Sequence, residues 1–288
     1  MLGGVMDLVK AAEVFHFVQG RLAAGKKTVV ANHNLHSLYL IGRNADVREF
    51  FDLADLTEVD SVPLIFWTRL IAGRSRRFHR CTYLDWRDEF WAEAVAHGWR
   101  VFFVGGAPGV GEVARQRIIG DWPDAQLATH HGYFDPDPAS PENAAVIERI
   151  RAYKPDILFV GMGMPRQEIW VAKSYDKLPM CAIFTVGGAF DYEGGVQTPC
   201  PRWIGQLGLE WLFRLCMDPR RLFKRYCLEP CFLLLPALSD LGRAFLRKSA
   251  PITAPRSARP TASASITQAP KEAQPLAPRN VGGLGSEP

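Results

Sequence analysis

The sequence predicts an α/β fold, a mostly parallel sheet with helices on both faces. Three observations carry this expectation. Short apolar runs recur along the first 200 residues, helix-period segments separate them, and most of the runs end at glycine. Strands buried on both faces read as unbroken apolar runs, so such a sheet is covered on each side.

The first run is Lys27-Thr-Val-Val-Ala31, followed by a helical stretch from Leu35 to Ala54. Arg100-Val-Phe-Phe-Val104 is a strand that breaks at Gly105-Gly106, and Val113 to Gly120 reads as a helix. A further helix covers Glu142 to Tyr153 and ends before Lys154-Pro155. Asp156-Ile-Leu-Phe-Val160 is a strand ending at Gly161-Met-Gly163, and Arg166 to Lys173 is the next helix. Cys181-Ala-Ile-Phe-Thr-Val186 closes the series at Gly187-Gly188. Ligands in such folds sit beyond the carboxyl ends of the strands, where these glycines fall.

The segment from Trp203 to about Leu246 is different. It mixes Trp203, Trp211, Phe213, Phe223, Tyr226 and Phe232 with arginines, and Leu209, Leu212, Phe213 and Cys216 recur at helical spacing. Residues 202–248 hold nine Lys/Arg against four acids, a net +5 in a chain whose total is +4. One segment therefore carries the whole positive excess, and a net charge of only +4 does not by itself suggest nucleic acid. The sequence divides into a core over 1–200, an amphipathic appendage over 201–248, and a tail over 249–288. The tail holds seven of the 21 prolines and no aromatic residue. It cannot bury enough apolar surface to offset its ordering entropy, so it is expected to be disordered.

The six cysteines form no CxxC pair and read as reduced thiols, which fits a cytoplasmic compartment. No signal peptide is apparent at the N-terminus. The apolar stretch Pro230 to Leu238 is far below the roughly 20 residues that span a bilayer. The chain is thus expected to be peripheral rather than integral to a membrane.

Several strand-end loops carry candidate chemistry. Gly105-Gly106-Ala-Pro-Gly109-Val-Gly111 is either a phosphate-cradling turn or a tightly packed strand–helix turn, and its spacing departs from GxGxxG. Gly163-Met-Pro-Arg166-Gln167 opens a helix with a cation and an amide that can reach phosphate or sugar hydroxyls. Glu168 either joins them or caps the first turn. Asp191, just past Gly187-Gly188, accepts from ribose hydroxyls or caps the next turn. Asp60 is the best-placed acid in the N-terminal half to act as a base. His33 with His36, and His130 with His131, lack further ligand spacing, so no metal is expected.

The ordered blocks Val29-Val-Ala-Asn32-His-Asn34, Ala54-Asp55-Leu-Thr-Glu-Val-Asp60, Val101-Phe-Phe-Val-Gly-Gly106, His131-Gly-Tyr-Phe134, Lys154 to Gly161, Gly163 to Trp170, Val186 to Asp191, and Leu209 to Arg214 with Pro219-Arg-Arg221 resemble the WecG/TagA/CpsF glycosyltransferases. The resemblance implies an inverting enzyme with a Rossmann-like core, a nucleotide-diphospho-sugar donor such as a UDP-sugar, and no metal or other cofactor. Its acceptor would be a sugar on polyprenyl diphosphate at the cytoplasmic face of the bacterial cell membrane, for polysaccharide assembly. It implies Asp60 as base, Asn34 as the strand-end asparagine with Asn32 the alternative, and Gln167 and Arg80 as further site residues. It also implies that Arg214, Arg221 and Arg225 of the appendage meet diphosphate or an anionic membrane surface, and that a soluble form could be an oligomer. The chain departs from the family pattern at Ser61, at Cys81 to Tyr83 and at Pro199-Cys-Pro201. The Asn-His-Asn-Leu-His run resembles the exopolysaccharide branch, similar to xanthan-type β-1,4-glucosyltransferases, which implies glucose from UDP-glucose over N-acetylmannosamine or its uronate.

Two rivals come from other classes. An NAD(P)-dependent oxidoreductase would share the sheet and glycine turns, but the expected strand-end acid is missing. A scaffold protein would explain the appendage but not polar residues gathered at several strand ends.

Overall fold

Six strands form one all-parallel sheet, the architecture expected, in the order β2-β1-β6-β5-β3-β4. The protein is described by a computed structural model over residues 1–73, 75, 79–201, 204 and 209–249. The strands are β1 (Thr28–His33), β2 (Leu56–Val59), β3 (Arg100–Gly105), β4 (Gln126–His130), β5 (Ile157–Gly161) and β6 (Ala182–Thr185). Helices α1 (Ala11–Ala23), α2 (Leu35–Ile41), α3 (Ala45–Leu53), α4 (Val62–Ala72) and α5 (Tyr83–Ala96) belong to the first half. Helices α6 (Val110–Asp121), α7 (Pro141–Tyr153), α8 (Arg166–Ser174) and α9 (Ala189–Glu193) follow.

The strand alternation sorts side chains into two cores. Val101, Phe103, Ile157, Phe159, Ala182 and Phe184 pack on one face with Trp86, Phe90 and Trp91 of α5. Phe102, Val104, Leu158, Val160 and Ile183 pack on the other with Phe50 of α3 and Trp170 of α8. Successive residues of a strand point to opposite faces, so a continuous apolar run supplies both cores at once.

The structure departs from the sequence expectation in three ways. The single helix expected from Leu35 to Ala54 is two, because Gly42 ends α2 and Asn44 caps α3, its Oδ1 accepting from the Val47 amide at 3.2 Å. The edge strands β2 and β4, with Thr57, Glu58, Gln126 and Thr129 among their residues, lack the apolar runs of the central strands and went unread. Helices α1, α4, α5 and α9 were likewise not anticipated.

After residue 209 the chain is helical, as expected: α10 (Glu210–Met217), α11 (Pro219–Phe223), a π turn (Lys224–Leu228), a 3-10 turn (Glu229–Leu233) and α12 (Leu234–Ser249). This strap lies against the first half of the fold. Leu233 joins Leu2, Leu38, Val59, Leu64 and Ile65 in a third apolar cluster. Glu229 pairs with His36 of α2 at 2.5 Å, and Asp240 accepts from the Leu2 amide at 2.7 Å and Trp67 Nε1 at 3.3 Å. No helix among the described residues is long and apolar enough to cross a membrane. The expected tail, apart from Ser249, and the expected contribution of Trp203 lie outside the described residues.

Candidate active site

A cavity of about 740 Å³ opens at the carboxyl ends of the strands, walled on one side by the strap. Asn32, Asn34, Glu58, Asp60, Gly106, Gly163, Arg166, Gln167, Asp191, Arg214, Arg221 and Arg225 all line it. Gly105 and Arg80 do not.

The first two strands bring the acids and amides. Asn34 follows β1 and caps α2, its Oδ1 accepting from the Ser37 amide at 3.0 Å. Asn32, inside β1, donates through Nδ2 to Glu58 Oε1 and to the Cys81 carbonyl, each at 3.2 Å. Asp60 directly follows β2, and its amide donates to the His33 carbonyl at 2.9 Å, which extends the β1–β2 pairing to the cavity rim. Burial pushes the Asp60 carboxyl up to about 6; Arg214, Arg80 and the Thr82 hydroxyl hold it down, whereas Glu210 raises it. Such a carboxyl is ionised near neutrality yet basic enough to take a proton.

The glycine turns divide into two kinds. A Cβ on Gly105 would lie 2.4 Å from the Gly161 carbonyl oxygen, so Gly105 serves close packing of β3 on β5. Gly106 and Gly163 have φ of +63° and +78°, and both face the cavity. Gln167 is buried, and its Oε1 accepts from the Gly163 and Gly187 amides at 3.2 Å each, joining the β5 and β6 loops. Its Nε2 donates to Glu168 Oε1 at 2.7 Å. Glu168 is itself buried, and burial pushes its carboxyl up to about 7; it anchors Gln167 rather than serving as a solvated cap. Arg166 donates to the Phe134 carbonyl.

Asp191 accepts from Gln197 Nε2 at 3.4 Å; burial raises its carboxyl while Arg221 opposes the shift. The strap supplies the cations. Arg214 pairs with Glu210 at 2.5 Å and lies 5.7 Å from the Tyr192 ring centre. Arg221 pairs with Asp218 at 2.6 Å. Arg225 has no carboxylate within ion-pair distance among the described residues, and its neighbour is the Tyr226 ring at 5.9 Å. Arg80 binds Asp85 at 2.6 Å and Glu210 at 3.0 Å, so it ties the strap to the sheet and reaches Asp60 through its field.

Of the four histidines weighed as loose ligands, three are hydrogen-bonded within the protein: His33 Nδ1 with Ser37 Oγ at 2.9 Å, His36 with Glu229, and His130 Nδ1 with the His131 carbonyl at 2.8 Å; the His131 ring lies tilted against His130, 4.5 Å between centroids. Among the described residues no group of three or more His, Cys, Asp or Glu could hold a metal ion. Sequence reasoning missed Glu58, Thr82 and Tyr192 on the cavity wall. For Glu58 a signal existed, because residues two apart along an extended segment share a face, and Glu58 stands two before Asp60.

A carboxyl raised by burial at a strand end, facing a strap of arginines across a polar cavity, suits group transfer with an anionic leaving group. The chain belongs to the Glycosyl transferase WecG/TagA/CpsF family, whose family-wide sequence pattern matches residues 1–245, and it is a glycosyltransferase. It is 28% identical over 204 residues to the N-acetylglucosaminyldiphosphoundecaprenol N-acetyl-beta-D-mannosaminyltransferase of Staphylococcus aureus strain MRSA252, covering 68% of this chain and 78% of that protein. The same enzyme from strain MW2 is equally similar, with the same coverage. These names give no support to the glucosyl branch suggested by the Asn-His-Asn-Leu-His run; the sugar they carry is N-acetylmannosamine.

Proposed function

We propose that this chain transfers an N-acetylmannosamine-type sugar from a uridine-diphosphate donor to N-acetylglucosamine on polyprenyl diphosphate. The names of its relatives and its membership of their family support the choice of sugars. The observation that carries the mechanism is the Asp60 carboxyl, pushed up to about 6, facing Arg214, Arg221 and Arg225 across one cavity.

In this reaction the acceptor hydroxyl gives its proton to Asp60 while its oxygen attacks the anomeric carbon. The bond from that carbon to the diphosphate oxygen breaks, and the configuration inverts. Negative charge develops on the departing diphosphate. Arg225, which pairs with no carboxylate among the described residues, stabilises it, with Arg214 and Arg221 adding positive charge on the same cavity wall. The strap also presents Phe223, Leu228, Phe232, Leu235, Leu238 and Phe245 to solvent. With its basic residues this face suits apposition to an anionic membrane, where the acceptor lipid resides, on the cytoplasmic side.

The test is acceptor-dependent release of UDP from UDP-N-acetylmannosamine, with an N-acetylglucosaminyl-diphosphate-lipid analogue in detergent. Asp60→Asn should lower kcat by about 10²-fold or more and leave donor binding nearly unchanged. Near-normal turnover of that variant would remove Asp60 from the mechanism. Release from UDP-glucose alone would replace the proposed donor.

A further inference from the structure

The cavity floor carries a donor–acceptor pair that the transfer chemistry leaves unused. Asn32 on β1 stands in register with Glu58 on β2, and both line the cavity beside Asp60. The Cys81 carbonyl can only accept, so its bond to Asn32 fixes which end of that amide is the NH2. Both amide protons are then spent, on Cys81 and on Glu58 Oε1. Asn32 Oδ1 and Glu58 Oε2 make no hydrogen bond among the described residues, and neither is sealed from solvent. Two complementary atoms therefore face the cavity.

Glu58 is 4% exposed and forms no ion pair among the described residues. Burial, reinforced by Asp60 and opposed by the Asn32 bond, pushes its carboxyl up to about 8. At neutral pH it is a neutral acid, and Oε1 accepts from Asn32, which leaves the proton on Oε2.

We propose that Asn32 and Glu58 form a recognition site for the acetamido group of a substrate sugar, Asn32 Oδ1 accepting its N–H and the Glu58 carboxyl donating to its carbonyl oxygen. The inference rests on the transferase reading above, in which both sugars carry that group. A hydroxyl in place of acetamido occupies only the position of the nitrogen. It leaves no atom where the carbonyl oxygen sat, so Glu58 is desolvated and unpaired. The acetamido group belongs to the donor or to the acceptor sugar, and substrates modified one at a time distinguish these.

Transfer is measured with donors and acceptors that bear either acetamido or hydroxyl at C2. For the wild-type protein kcat/KM should fall about tenfold or more when the group is removed from one of the two sugars. That sugar is the one seated on the pair. The preference should collapse in Glu58→Leu and persist in Glu58→Gln, whose NH2 replaces the O–H. A folded E58L protein with undiminished preference would overturn the inference, as would a wild type indifferent to both changes while still active. Should E58L not fold, Asn32→Ala reads the other half of the pair, with the same loss of preference expected. A wild type inactive with every substrate would instead sink the transferase reading. Calorimetry then decides the inference: for either the donor or the acceptor the acetamido form should bind about tenfold more tightly than its hydroxyl counterpart, and equal binding in both comparisons overturns it.

Discussion

The sheet and the strap meet at one cavity but are held together by different physics. Every residue of β5 and β6 is buried, and aromatic rings from α5 and α9 close over them. In the strap, by contrast, Leu222 and Leu233 are the buried hydrophobic residues among those described, while Phe223, Leu235 and Phe245 are 54%, 78% and 73% exposed. Its attachments are mainly polar: Arg80 to Glu210, His36 to Glu229, and Asp240 to Leu2 and Trp67. Asp60 thus sits at the end of a sheet strand, whereas the arginines ride on an element with little apolar anchorage. Stability should be decided in the sheet, and charge stabilisation in the strap.

The largest effect tests the first half of that division. Phe159 is fully buried against Phe90 at 4.8 Å, Phe184 at 5.6 Å and Phe190 at 6.1 Å. Phe159→Ala should lower the free energy of unfolding by about 3–5 kcal/mol in denaturant titration. Phe223→Ala in the strap should change it by no more than about 0.5 kcal/mol. Comparable losses at the two sites would mean that the strap shares the folding core.

The next effect tests the second half. Arg225→Ala should lower kcat about 10²-fold, the scale expected when one preorganised charge donor is removed. Its melting temperature should stay within about 2 °C of the wild type, because no ion pair among the described residues is broken. A matched fall in both quantities would make Arg225 a structural residue of the strap instead.

The central sheet was legible because β1, β3, β5 and β6 are covered on both faces and so announce themselves as apolar runs. The edge strands were not, since Thr57 and Glu58 in β2 interrupt the pattern that burial normally imposes. That gap hid Glu58. The strand ends were legible as glycine turns, but their division of labour was not: Gly105 packs and Gly106 lines the cavity, and the difference depends on which neighbour approaches the missing Cβ. Likewise, Arg80 could be aligned with a family arginine, yet its binding to Asp85 and Glu210 is a tertiary fact. Helix periodicity could mark the strap but not its attachment, which rests on single pairs distant in sequence.

The smallest effect asks which region carries the pH dependence of stability. Glu58 belongs to the sheet, and its carboxyl is pushed up to about 8 in the folded state, against roughly 4.3 in an unfolded chain. A group whose folded value is raised contributes stability that is present at low pH and lost as pH rises through that value. Asp60, at about 6, and Glu168, at about 7, complete most of their loss by neutrality. His33, held near 3 by burial, is neutral in both states above its ordinary value and contributes no slope there. The interval from pH 7 to 8 therefore isolates Glu58 most cleanly. Across it the free energy of unfolding should fall by about 1 kcal/mol, and Glu58→Gln should flatten most of that fall. If the slope survives in E58Q but vanishes when His36 of the His36–Glu229 attachment is replaced by Gln, the pH-sensitive element is the strap, and the scaffold is the indifferent partner.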